Sequence, residues 1–142
     1  MNYSRLVEEN GLFIGGGGVG KSFTLKKIVD VIGADKCLVL APTNKACVAL
    51  KKKDIEARTI DSALLLNNGG RFVEKYKDKD FTAEAIMVDE CYMCSAFHHR
   101  LIYNIWLKNK AIRVFYFGDR NQMTAIEEGD NSNGVNIDYD TS

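Results

Sequence analysis

The residues with the clearest capacity for chemistry lie between Gly15 and Ser22, where the sequence reads GGGGVGKS. This run matches G-x-x-x-x-G-K-[ST], a pattern in which glycines let backbone N–H groups wrap closely around a phosphate. The lysine of the pattern reaches the β- and γ-phosphates of a nucleotide, and the next hydroxyl holds Mg²⁺. The pattern therefore predicts a site for ATP and Mg²⁺ in which Lys21 binds phosphate and Ser22 binds the metal.

The predicted nucleotide-binding segment continues into the first turn of a helix. Its residues are Gly15, Gly16, Gly17, Gly18, Val19, Gly20, Lys21, Ser22 and Phe23. Such a helix presents its positive N-terminal end to the same anion. The apolar run 12–14 before the loop and the helical spacing of apolar residues after it provide the strand–loop–helix context that the motif requires. A flexible glycine turn without function is the alternative, and this context disfavours it.

A second candidate feature is the pair Asp89-Glu90, which follows the apolar run Ala85 to Val88. Magnesium in nucleotide sites keeps several waters and takes one or two carboxylates. We expect Asp89 to hold Mg²⁺ directly or through water. Glu90, one residue further, is expected to point elsewhere and to orient or deprotonate the attacking water. Two acids that merely begin a loop are the alternative interpretation.

These residues need a scaffold, and the apolar patterning predicts one. Four short apolar runs read as buried strands, at 12–14, 37–41, 85–88 and 114–117. Three segments have helical spacing, at 23–32, at 44–50 with Thr43 as N-cap, and at 95–108. The segment 59–66 is left unassigned, and 67–70 (Asn-Asn-Gly-Gly) predicts a turn. Strands that alternate with helices indicate an α/β fold with a parallel sheet, which binds ligands at the carboxyl ends of its strands.

Taken in order, the motifs resemble superfamily 1 helicases, in particular the RecD-like and Pif-like branch. The similar segments are the Walker A loop at 15–22, A-P-T-N-K-A at 41–46, T-I-D-S at 59–62, V-D-E-C-Y-M at 88–93 and G-D-R-N-Q-M at 118–123. The resemblance covers residues 11 to 129. It implies a RecA-like P-loop ATPase domain over residues 1–130, with a mobile tail over 131–142.

The resemblance also implies further roles. Gln122 would sense the γ-phosphate, and Thr43, Asn44 and Thr59 would contact the backbone of single-stranded DNA or RNA. In such helicases ATP lies between two RecA-like domains, and we expect the second of these to be missing from this chain. The resemblance therefore implies an ATP-dependent helicase motor domain that hydrolyses ATP only weakly by itself.

Some residues depart from the family pattern or suggest other chemistry. Asp61 stands where many relatives have histidine, and an acid there would repel a phosphate backbone. Cys91 and Cys94, followed by the pair His98-His99, have the residue types and the spacing of a metal site. Adjacent histidines on a helix diverge by ~100° and rarely share a metal. We therefore expect these cysteines and histidines to be structural. Aromatic residues such as Phe97 and Trp106 could stack on bases, but their helical spacing favours the core.

The composition of the chain argues against two classes of protein, dedicated DNA-binding modules and membrane proteins. The 142 residues include 19 Lys plus Arg and 19 Asp plus Glu, so the net charge is zero. This balance disfavours a module dedicated to neutralising DNA phosphates but suits a motor domain that makes a few local contacts. Residues 1–10 are polar and charged, and no apolar run reaches the roughly 18 residues of a membrane span. We expect a cytoplasmic or nuclear protein without membrane contact, and the compact motif spacing suggests a viral or phage helicase.

Two other functions fit a phosphate-binding loop. A P-loop nucleotide kinase normally needs a cluster of arginines for its second substrate, and the five arginines after the loop are dispersed in sequence. A non-catalytic nucleotide-binding module would bind nucleotide without responding to nucleic acid, even when a second domain is supplied. The kinase alternative leaves the segments at 41–46 and 118–123 unexplained.

Overall fold

The computed structural model describes residues 12–14, 21–76 and 81–118. The strands are β1 (Leu12–Ile14), β2 (Cys37–Ala41), β3 (Arg58–Thr59), β4 (Leu65–Asn68), β5 (Arg71–Glu74), β6 (Ala85–Val88) and β7 (Arg113–Gly118). The helices are α1 (Lys21–Ile32), α2 (Asn44–Lys51), α3 (Ile60–Leu64) and α4 (Ala96–Lys108). Short 3₁₀ turns occur at Ala34–Lys36 and Cys91–Met93.

Five of these strands form a parallel sheet in the order β1-β7-β6-β2-β3. The central strand β6 (Ala-Ile-Met-Val) is buried along its whole length, as expected where helices cover both faces of a sheet. One face packs against α1 and the end of α2 through Leu25, Val29 and Leu50. The other packs against α4, mainly through Ile102 and Trp106. The predicted α/β fold with a parallel sheet is confirmed.

The predicted helices are confirmed together with the signals that begin and end them. Thr43 Oγ1 accepts a hydrogen bond from the backbone N–H of Ala46 and so caps α2. Ser95 caps α4 in the same way through the backbone N–H of His98. Helix α1 ends before Gly33, whose φ of 112° is unfavourable for other residues. Phe97 was expected in the core, but this expectation is wrong: its side chain is 45% exposed, because it lies on the outer face of α4.

The unassigned segment after Thr59 contains two elements that its pattern did not reveal. Thr59 Oγ1 accepts from the backbone N–H of Ser62 and caps the short helix α3. Strands β4 and β5 then form an antiparallel hairpin whose turn is Gly69-Gly70, the second half of the predicted turn, while Asn67 and Asn68 belong to β4. The Asn67 side chain accepts a hydrogen bond from the backbone N–H of Gly70 and closes the turn. The Asn104 amide of α4 donates to Glu74 Oε1 and holds the hairpin against the domain.

Gly118, the last residue of β7, allows the turn after β6 to pack closely on the sheet. A Cβ atom at this position would lie 2.9 Å from Cys91 Sγ and 3.3 Å from a ring carbon of Tyr92. Only a residue without a side chain fits this contact. Gly118 thus sets the distance between the carboxyl end of β7 and the residues that follow Glu90.

Gly118→Ala is expected to destabilise the fold by about 1–3 kcal/mol, the usual cost of overpacking a tight core. The free energy of unfolding from urea titration measures this loss. Because the closest atom is Cys91 Sγ, the double variant Cys91→Ala/Gly118→Ala should lose less than the sum of the two single variants. Full additivity, or wild-type stability of Gly118→Ala, would contradict the packing described here.

Candidate nucleotide-binding site

The carboxyl edge of the parallel sheet brings together residues from four separate segments. Lys21 begins α1 after the loop that follows β1, and Asp89-Glu90 follows β6. Thr43 lies two residues after β2, and Thr59 ends β3 opposite Ala41. Because all five strands are parallel, these positions share one edge. Along that edge Lys21 follows β1 and the acidic pair follows the central strand β6, whereas the two threonines lie at β2 and β3.

Lys21 is held between the two acids. Its Nζ lies 3.1 Å from Asp89 Oδ1 and 3.2 Å from Glu90 Oε1. The side chains of Lys21 and Asp89 are 11% and 7% exposed, so this ion pair is largely shielded from water. The backbone of Asp89 is held in place, since its N–H donates a hydrogen bond to the Leu40 carbonyl of β2 at 2.8 Å. The phosphate-site lysine and the acidic pair, 68 and 69 positions apart in sequence, therefore form one cluster.

The charges of this cluster are mutually stabilised. Burial by itself would lower the pKa of the Lys21 ammonium, but the charges of Asp89 and Glu90 and hydrogen bonds to both outweigh it and raise the pKa above its ordinary value. Lys21 is thus fully protonated at neutral pH. It carries the positive charge that a triphosphate requires, and its present partners are two carboxylates that a phosphate could replace.

Glu90 has an unusual backbone conformation that explains how consecutive acids reach the same ammonium. Its φ and ψ are 51° and 42°, in the left-handed region that costs a non-glycine residue roughly 1–2 kcal/mol. In an extended backbone, neighbouring side chains point to opposite faces. The expectation that Glu90 points away from Asp89 is wrong, because the left-handed turn at Glu90 redirects its carboxylate towards Lys21. Strain of this kind concentrates at functional sites.

The remaining oxygen atoms of the cluster suit a hard cation and a water molecule. Glu90 Oε2 is buried and accepts no hydrogen bond from the described residues, so it has capacity for one. The Ser22 hydroxyl and the Asp89 carboxylate are oxygen donors of the kind that Mg²⁺ prefers. Ser22, Asp89 and Glu90 can therefore hold Mg²⁺ and a water. Phe23 is 71% exposed, and its backbone N–H lies in the first turn of α1, where N–H groups have no partner within the helix.

Several predicted site residues lie outside the described residues. They are Gly15, Gly16, Gly17, Gly18, Val19, Gly20 and Gln122. The predicted tail at 131–142 lies outside them as well. Among the predicted nucleotide and metal ligands, the structure describes Lys21, Ser22, Phe23, Asp89 and Glu90.

The predicted nucleic-acid residues occupy the other half of the carboxyl edge. The Thr43 and Thr59 hydroxyl oxygens accept backbone hydrogen bonds at 3.1 and 3.2 Å as helix caps. A hydroxyl that accepts in this way still has its own O–H to donate, for example to a phosphate oxygen. Asn44 is exposed at the first position of α2. Asn44 is thus exposed and the two threonines are half-buried, on the same edge of the sheet as Lys21 and the acidic pair.

Asp61, which departs from the family pattern, has a partner that the sequence did not reveal. Asp61 Oδ1 lies 3.0 Å from Nε2 of His98 on α4. His98 also takes part in the capping box of α4, because its Nδ1 accepts from the backbone N–H of Ser95 at 3.4 Å. The acid is therefore engaged with an imidazole rather than presented alone. No spacing rule links residues 37 positions apart, so only the packing of α3 on α4 could show this contact.

The cysteines and the second histidine are buried. Burial raises the pKa of the Cys91 thiol to about 12 and that of Cys94 still further, which opposes the thiolate form that binds metals. His99 is fully buried, with its ring 6.1 Å from that of Tyr116. Within 12–14, 21–76 and 81–118, no group of three or more Cys, His, Asp or Glu residues could hold a metal ion.

Lys53 is a contact of the site that sequence reasoning missed. The run Lys51-Lys52-Lys53 was interpreted as the solvated end of a helix, and all three lysines are exposed. Nevertheless, Lys53 Nζ donates a hydrogen bond to Ser22 Oγ at 2.9 Å. In α2, burial and the charge of Asp89 raise the pKa of the Cys47 thiol.

A lysine and a serine at the start of a helix, and an acidic pair two strands away on the same edge of a parallel sheet, define a P-loop NTPase domain. The comparison with protein families agrees with this class. The family model described as an AAA domain matches residues 3–128, and the chain belongs to that family. A search of curated proteins finds no match. None of the described helices has the length and apolar character that a membrane crossing requires.

Proposed function

We propose that the chain is the ATP-binding motor domain of a superfamily 1 helicase. It couples ATP hydrolysis to movement on single-stranded DNA or RNA when it is joined to a second RecA-like domain. The observation that carries the proposal is the position of the Lys21 ammonium between Asp89 and Glu90, on the edge that also carries Thr43 and Thr59. A nucleotide site and two half-buried threonine caps on one edge suit an enzyme that must link ATP to a nucleic-acid strand.

Each residue of the cluster has a defined task in this proposal. Lys21 exchanges its carboxylate partners for the β- and γ-phosphate oxygens. Ser22 and Asp89 provide oxygen ligands for Mg²⁺, which when bound neutralises phosphate charge. Glu90, released from Lys21, accepts a proton from the attacking water through its carboxylate. Gln122, which lies outside the described residues, would sense the γ-phosphate.

The nucleic-acid strand would run along the half of the edge formed by β2 and β3. The hydroxyl groups of Thr43 and Thr59 donate hydrogen bonds to phosphate oxygens, and Asn44 adds a contact with the strand at the first turn of α2. The His98 contact with Asp61 keeps the acid engaged beside this track. These contacts read the backbone and not the bases, so they suit movement along strands of any sequence.

Glu90→Gln is the substitution that separates catalysis from binding. It removes the proton acceptor but keeps the size of the side chain, so the rate of ATP hydrolysis should fall by roughly 10²–10⁴-fold. Affinity for ATP should be retained or slightly increased, because glutamine holds Lys21 less strongly than glutamate does. The measurement is single-turnover hydrolysis of labelled ATP with protein in excess, with and without a single-stranded oligonucleotide.

The matched control for this experiment is Glu84→Gln, since Glu84 is an exposed acid whose partner, Lys36, is remote from the cluster. The control should hydrolyse ATP at the wild-type rate. Hydrolysis by Glu90→Gln at the wild-type rate would remove Glu90 from catalysis. Wild-type hydrolysis that does not respond to any oligonucleotide, even when a second RecA-like domain is supplied, would favour a P-loop NTPase unrelated to nucleic acid.

A further inference from the structure

The turn after α2 is attached to the first turns of α1 by two lysine contacts. Lys53 Nζ donates to Ser22 Oγ at 2.9 Å, and Lys26 Nζ donates to the Asp54 carbonyl at 3.0 Å. The turn itself is compact, because the backbone N–H groups of Lys53 and Asp54 donate to carbonyls of the last turn of α2. Asp54 has a φ of 60°, the left-handed conformation that reverses the chain here.

The core below the turn fixes where the Lys53 side chain begins. Leu50 and Ile55, on either side of the turn, are 2% and 3% exposed and pack in the same cluster as Leu25 of α1. The turn therefore has a fixed place relative to α1. The Lys53 side chain is exposed, so its ammonium can leave Ser22 without disturbing the core.

The Ser22 hydroxyl cannot serve Lys53 and a divalent cation equally well. Mg²⁺ takes oxygen ligands at about 2.0–2.1 Å. An ammonium 2.9 Å from the same oxygen would lie within about 5 Å of the metal, where like charges repel. The hydroxyl oxygen would also have to share its lone pairs between the metal and the N–H donor.

We propose that Lys53 competes with Mg²⁺ for the Ser22 hydroxyl and so sets how much Mg²⁺ the nucleotide site requires. This inference rests on the proposed function, because it takes Ser22 as a ligand of the metal. Lys53 is a positioning residue in this scheme: it holds the hydroxyl until the metal displaces it. The turn continues directly into α2, whose opposite end carries Thr43 and Asn44. Displacement of Lys53 therefore alters a contact of the same helix that borders the proposed nucleic-acid track.

The test is the Mg²⁺ dependence of nucleotide binding, measured with a fluorescent, non-hydrolysable ATP analogue at fixed concentration. Lys53→Met removes the charge and the donor but keeps most of the chain length. An exposed hydrogen bond has a modest net value, so the Mg²⁺ concentration at half-maximal binding should fall about two- to tenfold. Lys52→Met is the matched control, because it removes an exposed charge from the neighbouring position and should leave that concentration within twofold of wild type.

A second measurement reports on the contact itself. The side-chain NMR signal of Lys53, assigned by its loss in Lys53→Met, should shift when Mg²⁺ and the analogue are added together, whereas that of Lys52 should not. An unchanged or higher Mg²⁺ requirement in Lys53→Met, with intact nucleotide binding, would overturn the proposed competition between Lys53 and Mg²⁺ but not the proposed function. An equal fall in Lys52→Met would assign the effect to general charge and would also overturn it. Failure of the wild type to bind the analogue at any Mg²⁺ concentration would overturn the proposed function and this inference together.

Discussion

Lys21→Met is expected to lower the affinity for Mg²⁺-ATP by roughly 10- to 100-fold. The ammonium makes charge-assisted contacts with phosphate oxygens, and each such contact is worth about 1.5–3 kcal/mol. The backbone N–H groups of the loop and the helix N-terminus would remain, so weak binding is expected to persist. Calorimetric titration of the wild type and the variant with ATP and Mg²⁺ measures the difference.

The same substitution should also destabilise the protein in the absence of nucleotide. Without Lys21, the carboxylates of Asp89 and Glu90 lie side by side, largely shielded from water, with no cation between them. Removal of one partner from a shielded ion pair leaves the other charge uncompensated. The matched control is Lys36→Met, which removes an exposed ion pair with Glu84 and should change neither ATP affinity nor stability appreciably. Wild-type ATP affinity in Lys21→Met would show that Lys21 serves only the ion pair.

The second large effect concerns stability at acidic pH. Burial of His99 lowers its pKa to about 3 from the ordinary 6.5, with a smaller contribution from the charge of His98. The unfolded chain therefore binds a proton that the folded chain excludes, throughout the window from pH 6.5 to 3. The stability that neutral His99 provides is fully present above pH 6.5 and is lost as the pH falls below it. From pH 7 to pH 5 we expect a loss of about 2 kcal/mol from this group.

Urea titrations at pH 7, 6 and 5 measure this dependence. Other groups also titrate in this range, so the informative quantity is the difference in slope between the wild type and His99→Leu, which cannot take up the proton. The neighbouring His98→Gln retains His99 and should keep most of the wild-type slope, since it removes only the smaller contribution of the His98 charge. Equal pH slopes in the wild type and His99→Leu would show that His99 is protonated at little cost in the folded state.

Strands and helices with strong local signals could be predicted from the sequence. The runs 37–41 and 85–88 became β2 and β6 with unchanged bounds, because a parallel strand buried on both faces must be continuously apolar. Helix α2 began at Asn44 because Thr43 caps it. By contrast, α3 and the β4–β5 hairpin are short, and their residues mix polar and apolar types without a clear period. Their structure depends on contacts with α4, such as Asn104 with Glu74, which no local pattern encodes.

The sequence could predict which residues share one edge of the sheet, but not how their side chains contact one another. The spacing of the GKS and Asp-Glu motifs places Lys21 and Asp89 at one edge of a sheet. It does not show that the left-handed turn at Glu90 brings both carboxylates to the same ammonium. It also does not reveal that Lys53 reaches Ser22, because that contact depends on how the turn after α2 packs against α1. The pairing of Asp61 with His98 has the same origin, in the packing of two helices.

Helix α2 gives the nucleotide site and the proposed nucleic-acid track a physical connection. Its eight residues span about 12 Å at 1.5 Å per residue. Thr43 and Asn44 lie at one end, and the turn that places Lys53 against Ser22 lies at the other. If a motor uses this connection, binding at one site must change affinity at the other, and the change must be reciprocal.

The central claim is tested most directly by calorimetric titration of the purified chain with a non-hydrolysable ATP analogue and Mg²⁺, in the absence and in the presence of a single-stranded oligonucleotide. We predict saturable binding that requires Lys21, with an affinity that changes when the oligonucleotide is present, by a factor of about 5 or more. Nucleotide binding that is identical with and without DNA or RNA would contradict coupling between the two sites of this domain and favour a nucleotide-binding module. The absence of nucleotide binding under both conditions would contradict the site itself.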